Sequence, residues 1–257
     1  MFTTYDQLTN DSFILRSATI CASEHGIKIT VEDFHCLQLT AYLDASMFQE
    51  YSRKREDINF KINLASLCDC LNLFGFGSGA SPSCSFSYDG VGTPFRVTMQ
   101  DAGVVADCSI KTMNPDEIID FDFCTENVVN KIIMKSECLR DAFSELDPSS
   151  DCVEVGINDT GLLIRAESIC GEIEVEYPKT SELFEVFQYH EPQSNRYRLN
   201  LIKPSIKALQ LSSKASLRVD QNGFMSIQFM IEFENGKVAF IEYFCAPEDK
   251  EQDEIGS

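Results

Sequence analysis

The chain repeats itself, and this repeat limits its possible folds more than any other feature of the sequence. Three short stretches recur in the same order: 26–29 matches 161–164, 60–64 matches 197–201, and 101–106 matches 234–239. The matched stretches start 135, 137 and 133 positions apart. Several matches at nearly one spacing are typical of a duplicated structural unit. The sequence therefore predicts two copies of one unit within 257 residues.

Each copy is predicted to consist mainly of β-strands. Apolar and polar residues alternate over 26–33, 59–63, 153–157 and 172–177, as in strands with one buried face. Helical spacing occurs in three segments: Leu64, Leu67, Leu71 and Phe74; then Leu139, Phe143 and Leu146 after Ser136 as N-cap; then Ile202, Ile206 and Leu209 with Pro204 in the first turn. The pattern predicts an α+β fold in which a few helices accompany antiparallel sheets.

Composition and missing motifs exclude several functional classes. The 41 acidic and 21 basic residues give a net charge of −20, which excludes nucleic-acid binding through bulk positive charge. Eleven scattered cysteines without a Cys-x-x-Cys pair indicate reduced thiols of an intracellular protein and no zinc site. No apolar run approaches the ~18 residues of a membrane span, and the first residues lack the pattern of a secretory signal. No phosphate-binding loop or hydrolase motif occurs, so no cofactor is expected and catalysis is disfavoured.

One stretch departs from the acidic character of the chain. Residues 195–218 contain no acid and six basic residues: Arg196, Arg198, Lys203, Lys207, Lys214 and Arg218. On the predicted helix, Lys203, Lys207 and Lys214 share one face, which suits sequence-independent contact with DNA phosphates. A solvated surface is the alternative. Weaker candidates, Lys135 and Arg140, belong to a helix that also carries acids, and Arg218 lies beyond the helix.

The join between the two copies falls at 114–126. It is acidic and includes the apolar residues Ile118, Ile119, Phe121 and Phe123. Either a strand flanked by acids or a linker that docks partners fits this composition. Asp120 and Asp122 also leave a metal-dependent nuclease site open, although such sites need more converging carboxylates. Residues 248–257 are predicted to form a disordered acidic tail.

Taken together, these residues resemble the DNA sliding-clamp fold, and more closely the checkpoint clamp subunits of the rad-one type. Those subunits join rad-nine and hus-one subunits in the "nine-one-one" ring. The resembling stretches reach from about residue 17 to 247: 26–33, 48–50, 62–71, 120–124, 130–133, 139–147, 195–197, 203–205, 207–209 and 240–247.

The resemblance implies a two-domain subunit with helices on one face of antiparallel sheets. Its parts would be a first clamp domain at 1–113, a connector at 114–126, a second domain at 127–247 and the tail at 248–257. Three subunits would close into a ring by pairing edge strands, with duplex DNA in the hole. The lining role then falls on Lys203, Lys207 and Lys214, with Lys135 and Arg140 as weaker members. The connector residues Ile118, Ile119, Phe121 and Phe123 would receive partner peptides.

The resemblance implies a non-enzymatic subunit of a nuclear ring that a clamp loader places around DNA at damage sites. The ring would support checkpoint signalling and recruit repair enzymes. The alternatives are a 3′–5′ DNA exonuclease, a homotrimeric replication clamp and a β-rich interaction protein with a merely solvated lysine face. Two departures from the family pattern stand out. Only 16 residues precede the strand expected at Ser17, fewer than a strand and a full helix need, and the first-domain helix carries Asp69 and no Lys or Arg.

Overall fold

A computed structural model describes residues 17–33, 36–55, 58–73, 82–115, 123, 125–233 and 236–248. The chain divides into two compact units, one formed by 1–33 with 40–119 and the other by 34–39 with 120–257. The main division falls inside the predicted connector at 114–126. The finer domain bounds given above stay a prediction. The expectations for the first 16 residues and for the tail beyond residue 248 lie outside the described residues.

The first unit consists of two antiparallel sheets and one helix. Its elements are β1 (Ser17–Ser23), β2 (Gly26–Asp33), β3 (Leu37–Asp44), β4 (Ile58–Asn63), α1 (Leu64–Asn72), β5 (Ser83–Ser87), β6 (Phe95–Asp101), β7 (Val104–Ile110) and β8 (Thr112–Met113). The strand orders are β3-β2-β1-β4-β8 and β5-β6-β7. Side chains alternate along each strand, so the apolar face of β1 and β4 packs with Leu67 of α1 and Val97 of β6.

The second unit repeats this plan with additional strands and helices. They are β9 (Val128–Lys135), α2 (Ser136–Glu145), β10 (Cys152–Ile157), β11 (Gly161–Ser168), β12 (Gly171–Pro178), β13 (Phe184–Gln188), β14 (Gln193–Arg198), α3 (Leu199–Ile202), α4 (Ser205–Leu211), β15 (Lys214–Asp220), β16 (Met225–Glu232) and β17 (Val238–Cys245). The strand orders are β13-β9-β15-β16-β17 and β12-β11-β10-β14. The two helices α2 and α4 pack against each other.

Two buried tyrosines join the sheets of the second unit to neighbouring segments. The Tyr197 hydroxyl donates to the carbonyl oxygen of Gly223 at 2.7 Å, and the Tyr243 hydroxyl donates to that of Leu201 at the end of α3. Both rings are 0% exposed. A buried hydroxyl without a partner costs about 1–3 kcal/mol, so these bonds are required for the rings to be buried here.

The matched stretches occupy corresponding places in the two units. Gly26 begins β2 and Gly161 begins β11, each as the second strand of a hairpin. Phe60 and Tyr197 lie on the strands that lead into α1 and α3. The third match, at 101–106 and 234–239, falls at the β6–β7 and β16–β17 turns, where Gly103 and Gly236 both have positive φ. The prediction of a duplicated unit is confirmed.

Two helix predictions need correction. The third segment is not one helix but the short pair α3 and α4, because Pro204 cannot donate the backbone hydrogen bond that would continue α3. Ser136 is the first residue of α2 and not its N-cap, which is Lys135. The Ser136 hydroxyl instead accepts a hydrogen bond from Ser212, just after α4, at 2.7 Å. Phe74 lies outside the described residues.

The ten described cysteines are free thiols, as the sequence predicts. Cys245 is fully buried, and burial raises the pKa of its thiol to about 12. Burial likewise raises the pKa of Cys68, on α1, to about 11. These two side chains serve as small apolar residues of the core.

Candidate nucleic-acid interface

Two members of the basic stretch lie on the short helices of the second unit. Lys203 caps the end of α3, and Lys207 lies in α4. Both side chains are partly exposed, while Ile202 and Leu209 beside them are buried. The sequence therefore separates an apolar face, which fixes α3 and α4 on the core, from a lysine face. That separation confirms the predicted amphipathic pattern for these residues.

Neighbouring groups influence the electrostatics of both lysines. Partial burial lowers the pKa of Lys207. Hydrogen bonds from Ser149 lower the pKa of Asp147, and the positive charge of Lys203 adds to this effect. Lys203 thus lies within electrostatic range of one carboxylate.

The predicted lysine face is shorter than the sequence pattern indicated, because Lys214 is not on the helix. Helix α4 ends at Leu211, and Lys214 begins the strand β15. Its Nζ lies 2.7 Å from a carboxylate oxygen of Glu185 on β13. The neighbouring serines at 212 and 213 end the helix, and helical spacing cannot be extended across them. The placement of Lys214 on one face with Lys203 and Lys207 is wrong.

The two weaker candidates both have acidic neighbours. Arg140 of α2 lies 2.7 Å from a carboxylate oxygen of Asp141, and Lys135 lies 3.9 Å from one of Glu137. The exposed residues of α2 also include Glu145. This helix therefore presents a mixed and mainly acidic surface, as its sequence predicts. The DNA-facing role of Lys135, Arg140 and Lys214 stays a prediction.

The arginines of the basic stretch bind acids that are distant in sequence. Glu248 lies 3.7 Å from Arg196 and 3.9 Å from Arg198, both on β14. Arg218 on β15 pairs with Glu242 on β17, and both side chains are about six-sevenths buried, at 13% and 14% exposure. Acids from other segments of the second unit therefore compensate the arginines of this stretch. Sequence inspection missed these partners, since only the folded chain brings them together.

Of the predicted connector residues, Phe123 alone is described. Its ring lies 5.3 Å from that of Phe244 on β17, and the Arg218 guanidinium lies 5.7 Å from its centre. This residue thus packs on a side chain of the sheet and remains partly exposed. Ile118, Ile119 and Phe121 lie outside the described residues, as do Asp120 and Asp122.

The described residues contain neither a helix long and apolar enough to cross a membrane nor a cluster of His, Cys, Asp or Glu that could hold a metal ion.

Comparison with known proteins identifies the fold and the family. The structure matches the crystal structure of the PCNA2–PCNA3 complex from Sulfolobus tokodaii with a TM-score of 0.74 and 15% identity, over 91% of each chain. The chain therefore has the sliding-clamp fold, as predicted. The human cell cycle checkpoint protein RAD1 is 42% identical over 255 residues, covering 95% of this chain and 90% of the human protein.

A more distant relative carries an enzymatic name. The DNA repair exonuclease REC1 of Mycosarcoma maydis is 27% identical over 231 residues, covering 68% of this chain and 50% of REC1. The family model for the repair proteins Rad1/Rec1/Rad17 matches residues 7–231. That match spans most of the chain, and the resemblance inferred from the sequence is confirmed. The chain belongs to the Rad1/Rec1/Rad17 family of repair proteins.

Proposed function

We propose that this protein is one subunit of a heterotrimeric clamp that encircles DNA at damage sites and supports checkpoint signalling. The observation that carries the proposal is 42% identity, along nearly the whole chain, to a protein named for the cell cycle checkpoint. The clamp fold supplies the two-unit body that such a role needs. Its ring partners would be subunits of the rad-nine and hus-one types, placed on DNA by a clamp loader in the nucleus.

The sheet edges favour different partners over copies of the same chain. Strand β12 is the outer strand of its sheet and exposes Glu172, Glu174 and Glu176. Strand β7, an outer strand of the first unit, carries Asp107 and no Lys or Arg. Pairing these two edges between identical chains would bring the glutamates of β12 near Asp107, with no basic residue on either edge strand to offset them. A neighbour with basic edge residues fits β12 better.

The proposed DNA contact is weak and lies mainly on α3 and α4. A closed ring is a topological tether, so a few phosphate contacts suffice to position the duplex. Lys203 and Lys207 would supply two such contacts, and Lys135, Arg140 and Lys214, which lie beside Glu137, Asp141 and Glu185, would contribute less. The net charge of −20 keeps DNA from other surfaces.

A scaffold without enzymatic activity is the form of the proposal that the relatives favour. The exonuclease alternative is supported only by the name of REC1, half of whose length is matched. The two carboxylates that could serve it, Asp120 and Asp122, lie outside the described residues. Partner docking at the connector also remains part of the proposal, with Phe123 as its described member.

The double variant Lys203→Gln/Lys207→Gln is expected to weaken binding of the assembled ring to duplex DNA without unfolding it. Two fewer phosphate contacts should also reduce the slope of log K against log salt by about 1.8, at about 0.9 per contact. The measurement is fluorescence anisotropy of labelled duplex across a salt series. The control, Lys28→Gln/Lys61→Gln, removes the same charge from strands of the first unit. An equal loss of DNA affinity in the two double variants would show that only net charge matters. It would overturn the assignment of the DNA contact to α3 and α4.

A further inference from the structure

Strand pairing in the second unit places two cations side by side. Lys131 on β9 and Arg218 on β15 are direct partners in the antiparallel ladder. Both alternate with buried residues such as Ile132, so they share the face that points away from the core. Gln188 on β13 continues the same row. Like charges directly opposite each other destabilise a sheet unless something neutralises them.

The same ladder contains a second like-charge pair that shows what neutralisation looks like. Lys135 and Lys214 are also direct partners. Here Glu185 lies 2.7 Å from Lys214. The pair therefore has a carboxylate of its own from the neighbouring strand β13. It provides an internal reference for the pair formed by Lys131 and Arg218.

The first pair is less completely satisfied. Glu242 binds one terminal nitrogen of Arg218, which also donates to Ser226 at 3.0 Å. The Nε of Arg218 is buried and has no acceptor within the described part of the chain. Among the same residues, no carboxylate forms an ion pair with Lys131. Among the described residues, the Arg218 Nε–H therefore has no acceptor and the Lys131 ammonium has no ion-pair partner.

These groups line a cavity of about 270 Å³. Its walls are formed by Val128, Val129, Lys131, Gln188, His190 and Arg218. The polar groups are an ammonium, a guanidinium, a side-chain amide and an imidazole. This set is rich in N–H donors and suits an oxyanion with several acceptor oxygens, as Arg and Lys clusters do when they bind phosphorylated residues. The space is larger than a carboxylate requires.

The surroundings favour a phosphate on a peptide over the backbone of a nucleic acid. Glu126 and Glu191 lie within two residues of the lining residues Val128 and His190 and are exposed, so an extended polyanion would meet more negative charge here than a single phosphate would. Strand β13 is the last of its row, which leaves an edge open for an added peptide strand. Phe123 lies on Arg218 beside the cavity and offers an apolar contact.

We propose that the cavity between β13, β9 and β15 binds a phosphoserine or phosphothreonine of a partner peptide. The oxyanion is held by the positive charges of Lys131 and of the Arg218 guanidinium, both of which line the cavity, and the peptide runs beside β13. This site goes beyond the clamp role, and it does not require the chain to be in a ring. Its failure would therefore leave the proposed clamp function untouched.

The test measures binding of a short valine-rich peptide with one phosphoserine to the full chain. The same peptide without phosphate and inorganic phosphate serve as comparison probes. The phosphopeptide is expected to bind about tenfold tighter or more than its unmodified form, since charge-assisted hydrogen bonds contribute about 1.5–3 kcal/mol each. Isothermal calorimetry gives the affinities, and amide chemical shifts locate the site.

Matched variants make the result specific. Lys131→Gln is expected to abolish the preference for the phosphopeptide. Lys135→Gln, the same change four residues further along the same face of β9, is expected to leave that preference intact. Arg218 is not altered because it also neutralises Glu242. The proposal would be overturned if the two peptides bound with equal affinity, or if both variants lost the preference for the phosphopeptide to the same extent. It would also be overturned if the phosphopeptide bound no more tightly than inorganic phosphate. Displacement by short duplex DNA at equal phosphate concentration would overturn the choice of a peptide.

Discussion

Gly161→Ala is expected to destabilise the second unit by about 3 kcal/mol, the upper part of the range for overpacking a close-packed site. Gly161 begins β11, and a Cβ there would lie 2.1 Å from the carbonyl oxygen of Tyr177 on β12. The obstructing atom belongs to the backbone of a paired strand, so it cannot move without breaking the ladder. Far-UV circular dichroism during urea unfolding measures the effect, since the chain has no Trp.

Substitutions at two other glycines distinguish the destabilisation caused by steric overlap from that caused by backbone strain. Gly171 has φ +141° and open space around its missing Cβ, so Gly171→Ala should cost only about 1–2 kcal/mol of strain. Gly26 has φ +139° and would place a Cβ 2.1 Å from the carbonyl oxygen of Leu43, so Gly26→Ala should be the most damaging of the three. A Gly161→Ala protein no less stable than Gly171→Ala would contradict the close approach of β11 and β12.

Arg218→Met is expected to cost about 3 kcal/mol of unfolding free energy, at the lower end for breaking a buried ion pair. The substitution keeps the apolar stem of the side chain but leaves the Glu242 carboxylate, 14% exposed, with the Ser226 hydroxyl as its remaining neighbour at 3.3 Å. The cost arises from an uncompensated charge and not from lost volume. Urea unfolding of the full chain measures it.

The double variant Arg218→Met/Glu242→Leu distinguishes these two causes. Replacing both members of a buried pair by apolar residues is often neutral, so most of the lost stability should return. The control Arg196→Met removes an arginine that is 56% exposed beside Glu248 and should change stability by less than about 1 kcal/mol. A double variant as unstable as Arg218→Met alone would show that the pair contributes mainly through packing.

Features that depend on local pattern could be predicted from the sequence. The spacing between Gly26 and Gly161 revealed the duplication because both positions require glycine for the same reason, a backbone carbonyl 2.1 Å from where a Cβ would be. The alternation of apolar and polar residues predicted the strands, and the spacing of Leu139 and Phe143 predicted the buried face of α2. Each of these signals lies within one element or repeats at a fixed interval.

Features that depend on register between strands could not be predicted in the same way. The charge of 195–218 appeared uncompensated because Glu185, Glu242 and Glu248 reach it only through pairing across the sheet or at its end. The sequence analysis placed Pro204 in the first turn of a single helix and so missed the break between α3 and α4. The end of α4 before Lys214 was also missed, since serines are compatible with a helix. The cavity at Lys131 was missed for a similar reason. Its strand residues Lys131, Gln188 and Arg218 come from three strands and are 30 to 87 positions apart.

The mass of the native assembly tests the proposed clamp role most directly. Native mass spectrometry is applied to the full chain alone, then with subunits of the rad-nine and hus-one types added singly and together. The clamp-subunit assignment predicts an equimolar complex of three different chains that forms only when both partners are present, because the acidic edge of β12 disfavours self-pairing. A homotrimer of this chain, or a monomer that binds neither partner, would contradict it.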